Sequence, residues 1–131
     1  NLNTKIEAYD IFDEFNGNSA SKDDLANKFK QYNNISIKYG DFYELYKTID
    51  KVDIIHIDIA NNGDVYNFAV KNYLPKLNDN GIIILEGGSI ERDNVEWMIK
   101  YNKRKINPVT LKYNMKVIGT LPSVSILKNH I

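Results

Sequence analysis

The stretch VDIIHIDIA, residues 52–60, decides the fold. Val52, Ile54, Ile55, Ile57 and Ile59 are β-branched, the side chains that suit a pleated, packed surface. An apolar run broken only by Asp53 and His56 reads as a central strand covered on both faces, as in a parallel α/β sheet. Asp58 then falls at or near the carboxyl end of that strand. Open α/β sheets bind ligands in the crevice outside those ends, so Asp58 is expected to border any working site.

Around this strand the totals set bounds. The chain of 131 residues has room for one domain, expected to span 1–131, with an adequate core. Seventeen basic and seventeen acidic side chains give a formal net charge of zero, whereas nucleic-acid binders carry a basic excess. No apolar run approaches a membrane span, and the opening NLNTKIEAYD lacks the apolar core of a secretion signal. The absence of cysteine excludes disulfides, thiolate metal sites and Cys nucleophiles. A cytoplasmic protein with no nucleic-acid or membrane partner is expected.

Upstream of the central strand, residues 5–12 (KIEAYDIF) read as a strand ending among the acids Asp10, Asp13 and Glu14, followed by the loop FNGNSA. Ser21 and Asp24 form a capping box, and Leu25, Ala26, Phe29 and Tyr32 predict an amphipathic helix over 21–32. ISIKY (35–39) alternates as a half-buried strand, and Asp41 with Glu44 opens a short helix. Downstream, Asn61-Asn62-Gly63-Asp64 is a turn. Val65, Phe68, Ala69, Asn72 and Tyr73 mark a helix that Pro75 ends. GIIILEGG from Gly81 is a second apolar strand ending in Glu86. A helix opening at Asp93 presents Val95, Met98 and Ile99; residues 103–107 read as a basic connector ending at Pro108. Residues 115–121 and 124–127 predict a closing hairpin.

Strand–helix alternation followed by a hairpin predicts an α/β fold: three-layer, Rossmann-like, with a mostly parallel sheet and a C-terminal antiparallel hairpin. Such a topology delivers Asp10, Asp41, Asp58 and Glu86 to one rim. Acids there accept hydrogen bonds from ribose hydroxyls or an adenine amino group, or hold a metal. Taken singly, Asp41 reads as a plain helix cap and Asp10 as a solvated loop acid.

The order of these pieces resembles class I S-adenosylmethionine-dependent methyltransferases from the second strand onward. KIEAYDIFD is similar to the family's second strand, whose terminal acid, here Asp10, binds the cofactor ribose. YGDFYEL resembles the third-strand segment that brings Asp41 and Phe42 to the adenine. VDIIHIDIA resembles the fourth-strand motif, with Asp58 lining the pocket, and PKLNDNGIIILEGG the segment leading into the fifth strand. The resemblance thus implies S-adenosylmethionine as cofactor, with Asp10, Asp41, Phe42 and Asp58 as its contacts. The family's first strand and GxGxG turn have no counterpart. Either the chain is the C-terminal part of a longer enzyme or its strands close up around the missing one, and cofactor binding by these residues alone is not expected.

Other residues carry weaker signals. Some family members hold a divalent ion with fourth- and fifth-strand acids, which would be Asp58 and Glu86. Gly87 stands where the family has Asn, so the metal-free reading is preferred. His56 reads as a hydrogen-bonded core histidine rather than a general base, and His130 as a disordered terminal residue. Gly87-Gly88 before a helix is an anion cradle that Glu86 would oppose. Glu91-Arg92-Asp93 reads as a solvated face, with Arg92 reaching a substrate carboxylate as the alternative. The nine tyrosines and five phenylalanines fit core packing better than base stacking.

The function expected is therefore methyl transfer from S-adenosylmethionine to a small-molecule acceptor. The alternative is a degenerate Rossmann-like interaction or assembly module without catalysis; a nucleotide- or phosphate-binding domain is a third reading. Strand edges left open by a missing neighbour would favour a homo-oligomer.

Overall fold

The computed structural model describes residues 3–12, 16–17 and 19–129. Asp13 and Glu14 of the acidic loop, Phe15 and Asn18 of the following loop, and His130 lie outside the described residues. The chain divides into two compact units, residues 1–48 and 49–131. Among the described residues the strands form two hydrogen-bonded sheets, of two and four strands.

The first unit is built β1 (Ile6–Asp10), α1 (Lys22–Lys28), β2 (Ile35–Tyr39) and α2 (Phe42–Leu45). β1 and β2 pair in parallel, from Ile6 opposite Ile35 to Asp10 opposite Tyr39. Ser21 caps α1 as its sequence dictates, its Oγ accepting from the Asp24 N–H at 3.2 Å. The helix ends at Lys28, short of the expected Tyr32, which is 50% exposed. Leu25 and Phe29 are its half-buried contacts, too narrow a stripe to sustain a longer helix. On β1 the inward positions carry Glu7 and Tyr9. Glu7 accepts from Lys38 at 2.7 Å and from the Tyr9 hydroxyl at 2.8 Å, with Lys5 at 3.0 Å.

The second unit runs β3 (Val52–Ile57), α3 (Gly63–Asn72), a 3-10 turn (Leu74–Lys76), β4 (Leu77–Glu86), α4 (Ile90–Asp93), α5 (Glu96–Lys100), α6 (Asn107–Lys112), β5 (Lys116–Gly119) and β6 (Ser123–Lys128). Its sheet has the order β3-β4-β6-β5. β3 and β4 are parallel, and β6 runs antiparallel to both β4 and β5, which makes the expected closing hairpin. Val65, Tyr66, Ala69 and Tyr73 place one face of α3 in the core with Ile83 and Leu85 of β4. Each fully buried aliphatic side chain of this kind contributes about 1.5–3 kcal/mol.

The structure differs from the sequence reading at further places in this unit. β3 is not the strand covered on both faces: it ends the sheet, with Ile54 63% exposed. β-branched composition marks a strand but does not say whether a neighbour covers it. β4 takes the inner place, alternating buried and half-buried residues from Gly81 to Glu86. His56 is correspondingly exposed rather than in the core. The helix expected to open over Asp93 to Glu96 begins at Glu96, and an additional short helix, capped by Ser89, ends at Asp93. Finally, Pro108 does not end a connector but lies in the first turn of α6, where its missing N–H has no intrahelical role.

Among the described residues β1 pairs in parallel with β2, and β3 with β4.

Candidate functional site

In the second unit the parallel pair β3 and β4 sets Ile57 opposite Leu85, so the residues just beyond, Asp58 and Glu86, emerge at one end of the pair. Asp58 is exposed. Asn61, in the loop after β3, is fully buried and clamps the two strand ends. Its Nδ2 donates to the Ile57 carbonyl at 3.2 Å and to the Glu86 carbonyl at 3.0 Å. Asn62 then caps α3, its Oδ1 accepting from the N–H groups of Asp64 and Val65.

Arg92 closes this cluster from α4. Its Nε donates to Glu86 Oε1 at 3.2 Å, and its Nη2 to Glu86 Oε2 at 3.3 Å and to the Asn61 carbonyl at 3.2 Å. The guanidinium carbon lies 5.1 Å from the Trp97 ring centroid. A solvated Arg92 is thus corrected to a buried one, its charge taken up by Glu86 and the Trp97 face. Arg92 Nη1 and Asn61 Oδ1 are buried without a hydrogen-bond partner among the described residues. Unsatisfied buried donors and acceptors are uncommon in native proteins.

Asp93, expected on the same solvated face, is also buried. It accepts from the N–H groups of Ile106 at 2.6 Å and Asn107 at 2.8 Å, which fixes the entry to α6. Sequence reasoning missed the cluster of Asn61, Glu86 and Arg92 and the burial of Asp93. The signals available were the Asn-Asn-Gly turn and the Ser89 cap three residues before Arg92.

Gly87 and Gly88 hold φ values of 106° and 120°, a region closed to most side chains. A Cβ on Gly88 would collide with Ser125 Oγ. The pair is therefore a packed turn against β6 rather than an open cradle. Ser125 Oγ donates to the Gly87 carbonyl at 2.8 Å, and the buried Tyr66 hydroxyl to the Glu86 carbonyl at 3.1 Å. Burial holds the Tyr66 hydroxyl well above the ordinary tyrosine range.

In the first unit, Asp10 is the last residue of β1 and Asp41 follows β2 by one glycine. The Gly40 N–H donates to the Asp10 carbonyl at 3.0 Å, so the two acids lie at the same end of the β1–β2 pair. Asp10 Oδ1 accepts from the Phe12 N–H at 2.6 Å, and Asp41 Oδ1 caps α2 through the Tyr43 N–H at 2.9 Å. Phe42 makes an edge-on contact with Tyr43, ring centroids 5.0 Å apart.

The structure thus brings together Asp10, Asp41 and Phe42 in one unit, and Asp58 and Glu86 in the other. Among the described residues no group of three or more His, Asp or Glu side chains is placed to hold a metal ion. Nor is any helix there long and apolar enough to cross a membrane.

No protein-family model matches the chain, and no curated protein sequence does. Solved structures do. Fibrillarin from Aeropyrum pernix, in complex with natively bound S-adenosyl-L-methionine, is 14% identical with a TM-score of 0.58, over 93% of this chain and 54% of its own. A methyltransferase from Geobacter sulfurreducens is 12% identical with a TM-score of 0.57, over 98% of this chain and 59% of its own. A Clostridium thermocellum protein described as a candidate rRNA methylase is 15% identical with a TM-score of 0.56, over 99% of this chain and 75% of its own. The chain therefore spans little more than half the length of the first two. Its α/β elements, parallel strand pairs and closing hairpin share the Rossmann-like fold of these three structures.

Proposed function

We propose that the chain is part of a cytoplasmic methyltransferase that uses S-adenosylmethionine to methylate a small molecule. The observation that carries this reading is the fold match, over 93% of the chain, to a fibrillarin with natively bound S-adenosyl-L-methionine. In this reading Asp10 accepts hydrogen bonds from the cofactor ribose, Asp41 and Phe42 meet the adenine, and Asp58 lines the pocket. Asp10 and Asp58 are exposed, and Asp41 spends only one carboxylate oxygen on its helix cap in the contacts described above.

The carboxylate acceptors here suit the ribose hydroxyls and the adenine amino group of the cofactor. The amino-acid end is served in the resembling family by a glycine-rich turn, and the Gly87-Gly88 pair is packed against Ser125 instead. The bound cofactor supplies an electrophilic methyl group. The protein's part is to hold acceptor and methyl in line, and such positioning provides much of the rate in reactions of this type.

Calorimetric titration of the protein made from the whole reading frame with S-adenosylhomocysteine tests the reading. Saturable binding that weakens roughly tenfold in Asp10→Ala supports it, the loss expected from one charge-assisted contact. A folded protein that gives no heat contradicts it. One observation favours a second reading, an assembly module: among the described residues β3 is an end strand of its four-stranded sheet, whose backbone edge is where another strand can pair. That reading predicts self-association without cofactor binding.

A further inference from the structure

The second unit carries a concentration of positive charge that the methyl-transfer reading does not use. Residues 100–112 contain Lys100, Lys103, Arg104, Lys105 and Lys112 and no acid, in a chain whose net charge is zero. Part of this segment lines a groove of about 300 Å³ with Asn67 of α3: Arg104, Lys105, Pro108, Val109 and Lys112. No carboxylate lines it.

Three features make this more than a scatter of surface lysines. First, the backbone that carries the cations is fixed. The Gly63 N–H donates to the Arg104 carbonyl at 2.7 Å, and buried Asp93 holds the N–H groups of Ile106 and Asn107. Second, the charges are poorly neutralised. Asp64 takes Arg104 Nε at 2.6 Å, and neither Lys105 nor Lys112 is ion-paired among the described residues. Lys112 Nζ lies 5.0 Å from the Tyr113 ring centroid, a contact with an uncharged group. Third, Pro108 and the buried Val109 give the groove an apolar part.

We infer that this groove between α3 and α6 binds the phosphate group of a small phosphorylated compound. Arg104, Lys105 and Lys112 supply charge-assisted donors to the phosphate oxygens, and the Pro108–Val109 surface receives the carbon skeleton. The volume suits a compact organic ligand at the low end of small-molecule sites. A nucleic-acid strand would call for a longer track of cations.

The test is a nuclear magnetic resonance titration of the 131-residue chain, reading backbone amide shifts, with glucose 6-phosphate, with glucose, and with a short single-stranded oligoribonucleotide. The inference predicts saturable shifts at Lys105, Val109 and Lys112 with glucose 6-phosphate and none with glucose. It also predicts that Lys105→Gln/Lys112→Gln weakens the phosphate ester roughly tenfold or more while the amide pattern elsewhere stays that of the parent. It is overturned by the absence of saturable shifts with glucose 6-phosphate, by equal shifts at lysines outside the groove such as Lys22 and Lys71, or by a response to the oligoribonucleotide alone.

Discussion

Arg92 donates to both carboxylate oxygens of Glu86, Nε at 3.2 Å and Nη2 at 3.3 Å, from a side chain only 6% exposed. The same Nη2 reaches the Asn61 carbonyl, so one guanidinium joins the ends of β3 and β4 to α4. Removing such a cation leaves acceptors that water reaches only in part. Arg92→Met is expected to lower the stability of the second unit by about 2 kcal/mol, below the full cost of breaking a buried pair because Glu86 is 35% exposed. Glu86→Gln keeps an acceptor and is expected to cost about 1 kcal/mol. Urea unfolding followed by the fluorescence of Trp97, the only tryptophan, reads both.

Gly88 is the least replaceable glycine of the turn after β4. With φ at 120° and Ser125 Oγ in the space of a Cβ, Gly88→Ala meets backbone strain and a collision together. A loss of more than about 3 kcal/mol is expected. A melting temperature within a few degrees of the parent protein would show that the turn is not packed as described.

Glu7 gives a pH prediction for the first unit. Hydrogen bonds from Lys38, Lys5 and Tyr9 lower its pKa from 4.5 to about 2. Because the folded value is depressed, the stabilisation is complete above the unfolded value and is lost as pH falls from 4.5 through about 2. The carboxyl carbon shift of Glu7 is expected to titrate near the lower value, and Lys38→Met to move the midpoint upward.

Tyr66 gives the opposite case. Burial raises its pKa, so the folded state keeps a proton that the unfolded chain releases near the ordinary tyrosine value. Its contribution is full below that value and declines as the pH climbs above it. Tyr66→Phe removes the hydroxyl bonded to the Glu86 carbonyl and Ser125 Oγ, at a cost of about 1–2 kcal/mol near neutrality. Its stability is expected to fall less steeply in alkali than that of the parent.

The sequence made the elements legible, with Asp58 at its strand end and Ser21 and Asp41 at their helix starts, because those assignments rest on local chemistry: β-branched runs, capping side chains and turn residues. It did not reveal which strand lies inside the sheet. Ile54 and Ile83 are the same residue type, yet one is 63% exposed and the other fully buried. That difference depends on neighbours far along the chain. Arg92 and Asp93 were hidden for a related reason: a charged pair reads as solvated until its long-range partners, Glu86 for one and the start of α6 for the other, are known. Asn107-Pro108 was open to a local reading as a helix start, since proline is at home in a first turn.

The reach of the methyl-transfer reading depends on whether the strand-end acids serve the cofactor. Asp58 is exposed, and Asp58→Ala is expected to change stability by less than about 0.5 kcal/mol while weakening S-adenosylhomocysteine binding in the whole protein.

The most direct measurement is a crystal structure of the protein from the whole reading frame with S-adenosylhomocysteine. The account predicts the ribose hydroxyls within about 3 Å of the Asp10 carboxylate and the adenine beside Asp41 and Phe42. A ligand seated away from Asp10 and Asp41, or none at saturating concentration, would contradict it.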